Sequence, residues 1–294
     1  MKTILFILPI LIFLSCNTAS TQEQQSTDSI IISDDIADSY QEIEILNVDG
    51  NTVETRFNPP KGYQRIETQA QSFGYYLRNL KLKPNGSIVK TYDGYEKPAE
   101  AVYCAVIDMD IGKRDLQQCA DAVMRLRAEY LYNMQEYNQI HFNFTNGFRV
   151  DYEKWMKGNH IAVNGNRTNW VHSSQADTSY KSFRKYMDWI FMYAGSLSLS
   201  RELNAIDFND MQIGDVLIHG GSPGHAVIVI DMAENKETGK KIYILAQSYM
   251  PAQDIQVLVN NNNNDISPWY ELNSNDENIY TPEWQFYTSE LMRF

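Results

Sequence analysis

The chain has 294 residues, a hydrophobic fraction of 43% and an aromatic fraction of 12%, enough apolar surface to fill the core of one large domain and to exclude disorder over most of its length. Its formal net charge is -12, and no Lys/Arg cluster interrupts that balance. A phosphate backbone would be repelled, so no nucleic-acid partner is expected.

The first residues have the form of an export signal. Lys2 is a minimal basic start, Ile4 to Leu14 is an apolar run shorter than the roughly 20 residues of a membrane-spanning helix, and Phe13-Leu14-Ser15-Cys16 looks like a bacterial lipoprotein cleavage box. A signal peptide over 1–15 and a lipidated Cys16 are expected, with the membrane met through the N-terminal lipid only. Asn17 stands where an Asp would favour inner-membrane retention, so by resemblance to sorted lipoproteins the expected location is the outer membrane. Asn17 to Ser29 carries no aromatic or large apolar residue, which makes 16–40 a disordered tether. Residues 41–294 are expected to form a single α+β domain with an N-terminal elaboration.

Within it, Asp49-Gly50 between Ile43 to Val48 and Asn51-Thr52-Val53 predicts a hairpin turn. Ser72 to Leu80 predicts a short helix, and Ala101 to Asp108 a buried strand in which Cys104 packs as a small core residue. The strongest helical pattern follows. Asp115 as N-cap with Gln118 makes a capping box, and Leu116, Cys119, Ala120, Val123, Tyr130, Leu131 and Met134 share one face. Cys119 falls in its first turns, where the helix dipole favours thiolate, although a small residue there also suits close packing. A disulfide between Cys104 and Cys119 is not expected. His141 to Phe148 carries an Asn146-Gly147 turn, Trp155 to Val163 reads as irregular, and Tyr180 to Gly195 is a second amphipathic helix. His141, His160 and His172 lack metal-ligand spacing and read as surface residues.

Gly214 to Asp231 is the passage whose spelling suggests chemistry. Val216 to Ile218 and Ala226 to Ile230 flank Gly220-Gly221-Ser222-Pro223-Gly224, which predicts strand, turn, strand, with apolar residues on both faces of the second strand and His225 at its mouth. Ile242 to Ala246 predicts a third strand running into Gln247-Ser248-Tyr249. Asn260 to Asn264 reads as a mobile loop, and Trp284 to Phe294 as C-terminal strand docking on the core.

Three constellations compete around His225. The Gly-rich turn matches the G-x-S-x-G spelling of a serine hydrolase elbow, but that elbow needs a helix after the serine and a later histidine, and His225 is the last one in the chain. A metal site from Asp215, His219, His225 and Asp231 fails because six residues of strand hold His225 and Asp231 roughly 20 Å apart; no metal is assigned. The third pairs His225 with Cys119. Gln118-Cys119-Ala120-Asp121, Gly214-Asp215-Val216 and Gly224-His225-Ala226-Val227-Ile228-Val229, in that order, resemble the papain-like CHAP and NlpC/P60 superfamily of cell-wall cysteine hydrolases over residues 113 to 250. From about residue 45 onward the chain also looks like a family of bacterial lipoproteins known only as a domain of unknown function.

The resemblance implies a papain-like α+β fold, a helix packed on an antiparallel sheet with N-terminal extension strands. It implies Cys119 as nucleophile, His225 as general base and then acid, and the Cys119 N–H with Gln118 as oxyanion donors, needing no cofactor. Peptidoglycan stem peptides, or another peptide, become the substrate class; the alternative is a peptide- or glycan-binding scaffold on the same fold. In CHAP proteins the next strand often ends in E-Q-N, whereas here Gln247-Ser248-Tyr249 follows Ala246. Pairing Asp231 with Ile242 places Ser248 across from His225, and a slip of one residue substitutes Gln247. A neutral group is therefore expected to orient the imidazole, which makes for a less basic histidine.

Overall fold

The computed structural model of the chain describes residues 44–98 and 101–294; the expected signal peptide, Cys16 and the tether over 16–40 lie outside the described residues. In the N-terminal part the Asp49-Gly50 turn does not close a hairpin. Thr52 caps a short helix, α1 (Val53–Arg56), by accepting the Thr55 N–H at 3.2 Å, and Gly50 packs so close that a Cβ there would lie 2.2 Å from the Thr55 carbonyl oxygen. Two hydroxyls three residues apart hold a helical turn where β-branched neighbours favour strand. A two-residue strand, β1 (Gln64–Arg65), follows, and then α2 (Phe73–Arg78), the short helix the sequence predicts over Ser72 to Leu80, capped by Ser72. Strand β2 (Tyr103–Val106) holds Cys104.

Helix α3 (Cys119–Asn133) starts about one turn later than the Asp115–Gln118 box predicts. The Asp115 carboxylate is drawn instead to the Ala252 N–H at 2.7 Å and the Gln118 side-chain amide at 3.0 Å, while Asp121 caps the helix by accepting the Gln118 N–H at 3.0 Å. Cys119 is thus the first helical residue, with its backbone N–H among those that no intrahelical carbonyl can satisfy. Beyond α3, β3 (His141–Asn143) pairs with β4 (Arg149–Asp151), and helix α4 (Tyr152–Met156) leads to a hairpin of β5 (Asn159–Asn164) with β6 (Arg167–His172). The end of α4 and most of β5 fall in Trp155 to Val163, which the sequence reads as irregular. These elements are short and their turn rests on Gly165 at φ 58°, a signal too local to be read without the partner strand. Helices α5 (Tyr180–Tyr193), capped by Ser179, and α6 (Ser196–Glu202) complete the helical layer.

The C-terminal third contributes β7 (Asn204–Ala205), β8 (Val216–His219), β9 (His225–Glu234), β10 (Lys241–Gln247), β11 (Gln256–Leu258), β12 (Tyr270–Leu272), the hairpin β13 (Asn278–Tyr280) with β14 (Gln285–Tyr287), and β15 (Leu291–Arg293). Nine strands form one antiparallel sheet in the order β2-β11-β10-β9-β8-β15-β7, with β1 on the far half of β9 and β12 on the far half of β10. The fold is α+β. Strand β9 is buried on both faces, as its spelling predicts. Ala226, Ile228 and Ile230 pack with residues of α3 and α5 such as Val123, Leu126 and Met187, whereas Val227, Val229 and Met232 pack with Tyr243, Tyr270 and Phe286. The sheet is the middle layer, with helices on one side and the C-terminal hairpin on the other.

Strands β9 and β10 do not keep a single register. Ile242 faces Ala233 and Ile244 faces Asp231, but Leu245 faces Val229, so Ile230 is an extra residue on β9. Beyond this bulge Ala246 faces Ile228, and the next step sets Gln247 across from Val227, on the face that carries His225. Ser248 falls on the opposite face and not across from His225: the expected pairing of Asp231 with Ile242 is two residues off at the turn, where Ile242 faces Ala233, and the bulge then exchanges the faces. The Asn260 to Asn264 run is anchored at its start: Asn260 is buried and donates its amide to the Trp269 carbonyl at 2.8 Å. Among the described residues no helix is long and apolar enough to cross a membrane.

The N-terminal elaboration is tied to the sheet by charge. Asp231, fully buried on β9, accepts from Arg65 Nε at 2.8 Å, Arg78 Nε at 2.7 Å and its neighbour's N–H, the Met232 amide, at 2.8 Å. Arg65 also donates to the Phe57 carbonyl, so one carboxylate organises α1, β1 and α2 around the central strand. Removing one member of a buried ion pair leaves the rest uncompensated. Asp231→Ala is expected to lower unfolding free energy by about 3–5 kcal/mol in a urea titration; a loss below about 1 kcal/mol, the range of an exposed pair, would contradict this role.

Candidate functional site

Helix α3 packs its first turn against the mouth of β9, which brings Cys119 beside the segment that begins with His225. The backbone N–H groups of Ala120, in the helix, and Ala226, next to His225, both approach the Cys119 sulfur. The Tyr249 hydroxyl senses the same thiol. Cys119 and Cys104 are both free. Cys104 sits apart, with its sulfur 3.7 Å from the Val257 carbonyl, and burial pushes its thiol up to about 12.

His225 is 2% exposed. Its Nε2 lies 2.8 Å from Gln247 Oε1, and aromatic rings enclose the imidazole, with centroids at 5.0 Å for Tyr249, 5.4 Å for Trp284 and 5.8 Å for Phe286. Gln247 in turn donates Nε2 to Glu283 Oε2 at 2.6 Å, and that oxygen is 2.6 Å from Lys97 Nζ. The polar chain thus runs inward from a largely buried ion pair through an amide to the imidazole. Ser248 takes no part in it: its hydroxyl donates to the Gln253 carbonyl at 2.8 Å and lies 3.3 Å from the Gln117 carbonyl. Gln256, across from Gln247 on β11, is buried with neither side-chain amide atom bonded, a cost of about 1–3 kcal/mol for each unmade group.

The electrostatics favour a neutral site. Removal from water holds the His225 imidazole down to about 4, against the opposing pull of the Gln247 bond and the Glu283 charge. Burial likewise raises the Cys119 thiol above its ordinary value, with the Ala120 and Ala226 amides pulling the other way and the nearby Asp121 adding to the rise. Desolvation also pushes the Asp121 carboxyl well above the usual carboxylate range. At neutral pH the pair therefore rests as thiol and imidazole. A thiol and an imidazole in these states are the two groups a proton relay from sulfur to nitrogen would need; among the described residues no hydrogen bond joins them, and the link between them is the Ala226 N–H beside His225.

The other residues read from the sequence have their own partners. Gln118 commits one amide hydrogen to Asp115. The glycine-rich turn gives α6 close approach: a Cβ at Gly220 would lie 2.0 Å from Ser200 Oγ and one at Gly224 2.3 Å from Ser196 Oγ, while Ser222 is exposed. Of the residues weighed for a metal, Asp215 pairs with Arg293 at 2.6 Å, His219 with Glu290 at 2.5 Å, and Asp231 with its two arginines. His172 is exposed; His141 is half-buried 3.6 Å from Glu202, and His160 stands edge-on to Trp155 at 4.4 Å. A cavity of about 740 Å³ between α4, β5 and α5 is lined by Trp155, His160, Lys185, Asp188 and Trp189, but neither Cys119 nor His225 reaches it. Sequence reading missed Glu283, Lys97, Trp284 and Tyr249. Nothing in the spelling around Thr281 to Trp284 links it to residue 247.

The chain belongs to the family described as domain of unknown function (4846), whose profile matches residues 53–293. No curated protein and no solved structure matches it. The family's description carries no activity, so the site's chemistry rests on its own geometry.

The buried neutral histidine makes a stability prediction whose sign is fixed. An unfolded histidine takes up its proton near pH 6.5 and folded His225 near 4, so between those values the unfolded state binds the extra proton and stability falls as pH falls. The full contribution is present above pH 6.5. The loss on going to pH 4 is about 3 kcal/mol, and His225→Gln is expected to remove that part of the slope in denaturant titrations at stepped pH. Equal slopes for the two proteins would contradict a buried, neutral His225.

Proposed function

For this member of the family, we propose a papain-like cysteine hydrolase of the cell envelope that cleaves peptide bonds, with peptidoglycan stem peptides as its substrate class. The observation that carries the reading is the meeting of Cys119, first residue of its helix, with the strand mouth where His225 is bonded to Gln247. A cysteine at a helix start, a histidine on the adjacent strand and an amide orienting that histidine are the parts such chemistry requires. His225 takes the thiol proton as sulfur attacks the peptide carbonyl. The Cys119 N–H and the free hydrogen of the Gln118 amide stabilise the oxyanion, and the histidine returns the proton to the departing amine to leave a thioester, which water then hydrolyses. Cys16, lipidated, tethers the domain at the outer membrane within reach of that substrate. No organic cofactor or metal enters the proposed cycle.

A second reading draws on one specific observation. The raised thiol and the low-lying imidazole suit a peptide- or glycan-binding lipoprotein that keeps the fold without turnover. Digestion of purified muropeptides separates the two. Wild type is expected to release stem-peptide fragments and Cys119→Ala to lose about a thousandfold or more of that rate. Retained muropeptide binding with no cleavage by either protein would overturn the hydrolase and favour the binder.

A further inference from the structure

The acid missing from the end of β10 is supplied from elsewhere in the chain. Glu283 sits in the tip of the β13–β14 hairpin, where Thr281 pins the turn by accepting the Trp284 N–H at 3.2 Å and donating to the Trp284 carbonyl at 2.8 Å. Its Oε2 accepts from Gln247 Nε2 at 2.6 Å and from Lys97 Nζ at 2.6 Å. Lys97 is itself placed: its N–H donates to the Val89 carbonyl at 2.9 Å and its carbonyl accepts from the Tyr103 hydroxyl at 2.9 Å.

This arrangement has a consequence two bonds away. A carboxylate paired with an ammonium offers only acceptors, so the Gln247 amide must present its NH₂ to Glu283; reversed, it would set two oxygens 2.6 Å apart. The amide oxygen then points to His225 Nε2 at 2.8 Å. An oxygen acceptor at that distance requires Nε2 to carry the proton, which leaves Nδ1 with its lone pair. We infer that Glu283, acting through Gln247, is the positioning residue that fixes the tautomer of His225 with Nε2 protonated and Nδ1 free to serve as the base. Gln247 alone cannot do this, because an amide satisfies either tautomer by turning over. The inference rests on the Cys119–His225 reading for its catalytic meaning, but the tautomer itself is a property of the folded chain.

The test uses ¹⁵N-histidine-labelled protein at pH 7.5. Two-bond proton–nitrogen correlation spectra identify each tautomer, and His225 is assigned by the signal that His225→Gln removes. Wild type is expected to show a protonated Nε2 and a bare Nδ1. In Glu283→Leu the Gln247 amide loses its acceptor and is left facing the Lys97 ammonium, so Gln247 turns its oxygen toward Lys97 and its NH₂ toward His225, and the proton moves to Nδ1. Lys97→Met, which keeps the carboxylate, is expected to keep the wild-type tautomer. Backbone amide spectra of each variant establish that it is folded, and Glu283→Met, likewise without an acceptor, stands in should Glu283→Leu fail to fold. The inference is overturned if wild type carries its proton on Nδ1, or if folded Glu283→Leu or its Glu283→Met stand-in retains the wild-type tautomer. Alkylation of Cys119 is read on the same samples, and a slowing of about tenfold in Glu283→Leu is expected if His225 is the base. A tautomer that moves while alkylation does not would support the positioning role of Glu283 and overturn the hydrolase reading, so the two fail separately.

Discussion

The site depends on one extra residue. Ile230 bulges out of the pairing between β9 and β10, and because side chains alternate along a strand, that single offset exchanges the two faces of everything beyond it. With the bulge, Gln247 shares a face with His225 and Ser248 turns away to bond carbonyls of the 251–254 segment and the approach to α3. Without it, a hydroxyl would stand where the amide now meets the imidazole. The residues on either side leave little room for slippage. Asp231 is clamped by two arginines, and Ile228, Val229 and Ile230 are buried in two separate cores. Bulges next to functional groups commonly re-aim a side chain, and here the re-aimed side chain is the only one to hydrogen-bond His225 among the described residues.

Burial then sets the chemistry. The aromatic rings that surround His225 remove it from water, and desolvation outweighs both the Gln247 bond and the Glu283 charge. Cys119 meets the same fate at the helix start, where the dipole and two amides favour thiolate but do not overcome the loss of solvent. In the proposed hydrolase the two groups are uncharged at rest, and the thiol proton would move only as a substrate carbonyl arrives. Tautomer control matters more in such a site than in one with a charged imidazolium, because a neutral ring has one basic nitrogen and the surroundings choose which.

What the sequence made legible follows from how local each signal is. Helices α2 and α5 carry their own caps in Ser72 and Ser179, and β8, β9 and β10 are written as apolar runs broken by glycines and polar turns. Cys119 and His225 could be singled out because each stands at the end of such an element. The start of α3 was misread because Asp115, the right residue for a cap, had a stronger use in holding the Ala252 N–H. The choice between Ser248 and Gln247 turned on a bulge with no spelling of its own. Glu283 and Lys97 were invisible because they reach the site from a hairpin tip and a loop far away in sequence, joined only by tertiary folding.

The central claim is that Cys119 and His225 act as one chemical unit, and thiol alkylation tests it most directly. With iodoacetamide at pH 7.5 and peptide mapping to separate the two cysteines, Cys119 of the folded wild type is expected to react well ahead of Cys104, and folded His225→Ala to slow Cys119 by about 100-fold. Cys119 reacting at the same rate with and without His225, or as slowly as Cys104 in the wild type, would contradict the account.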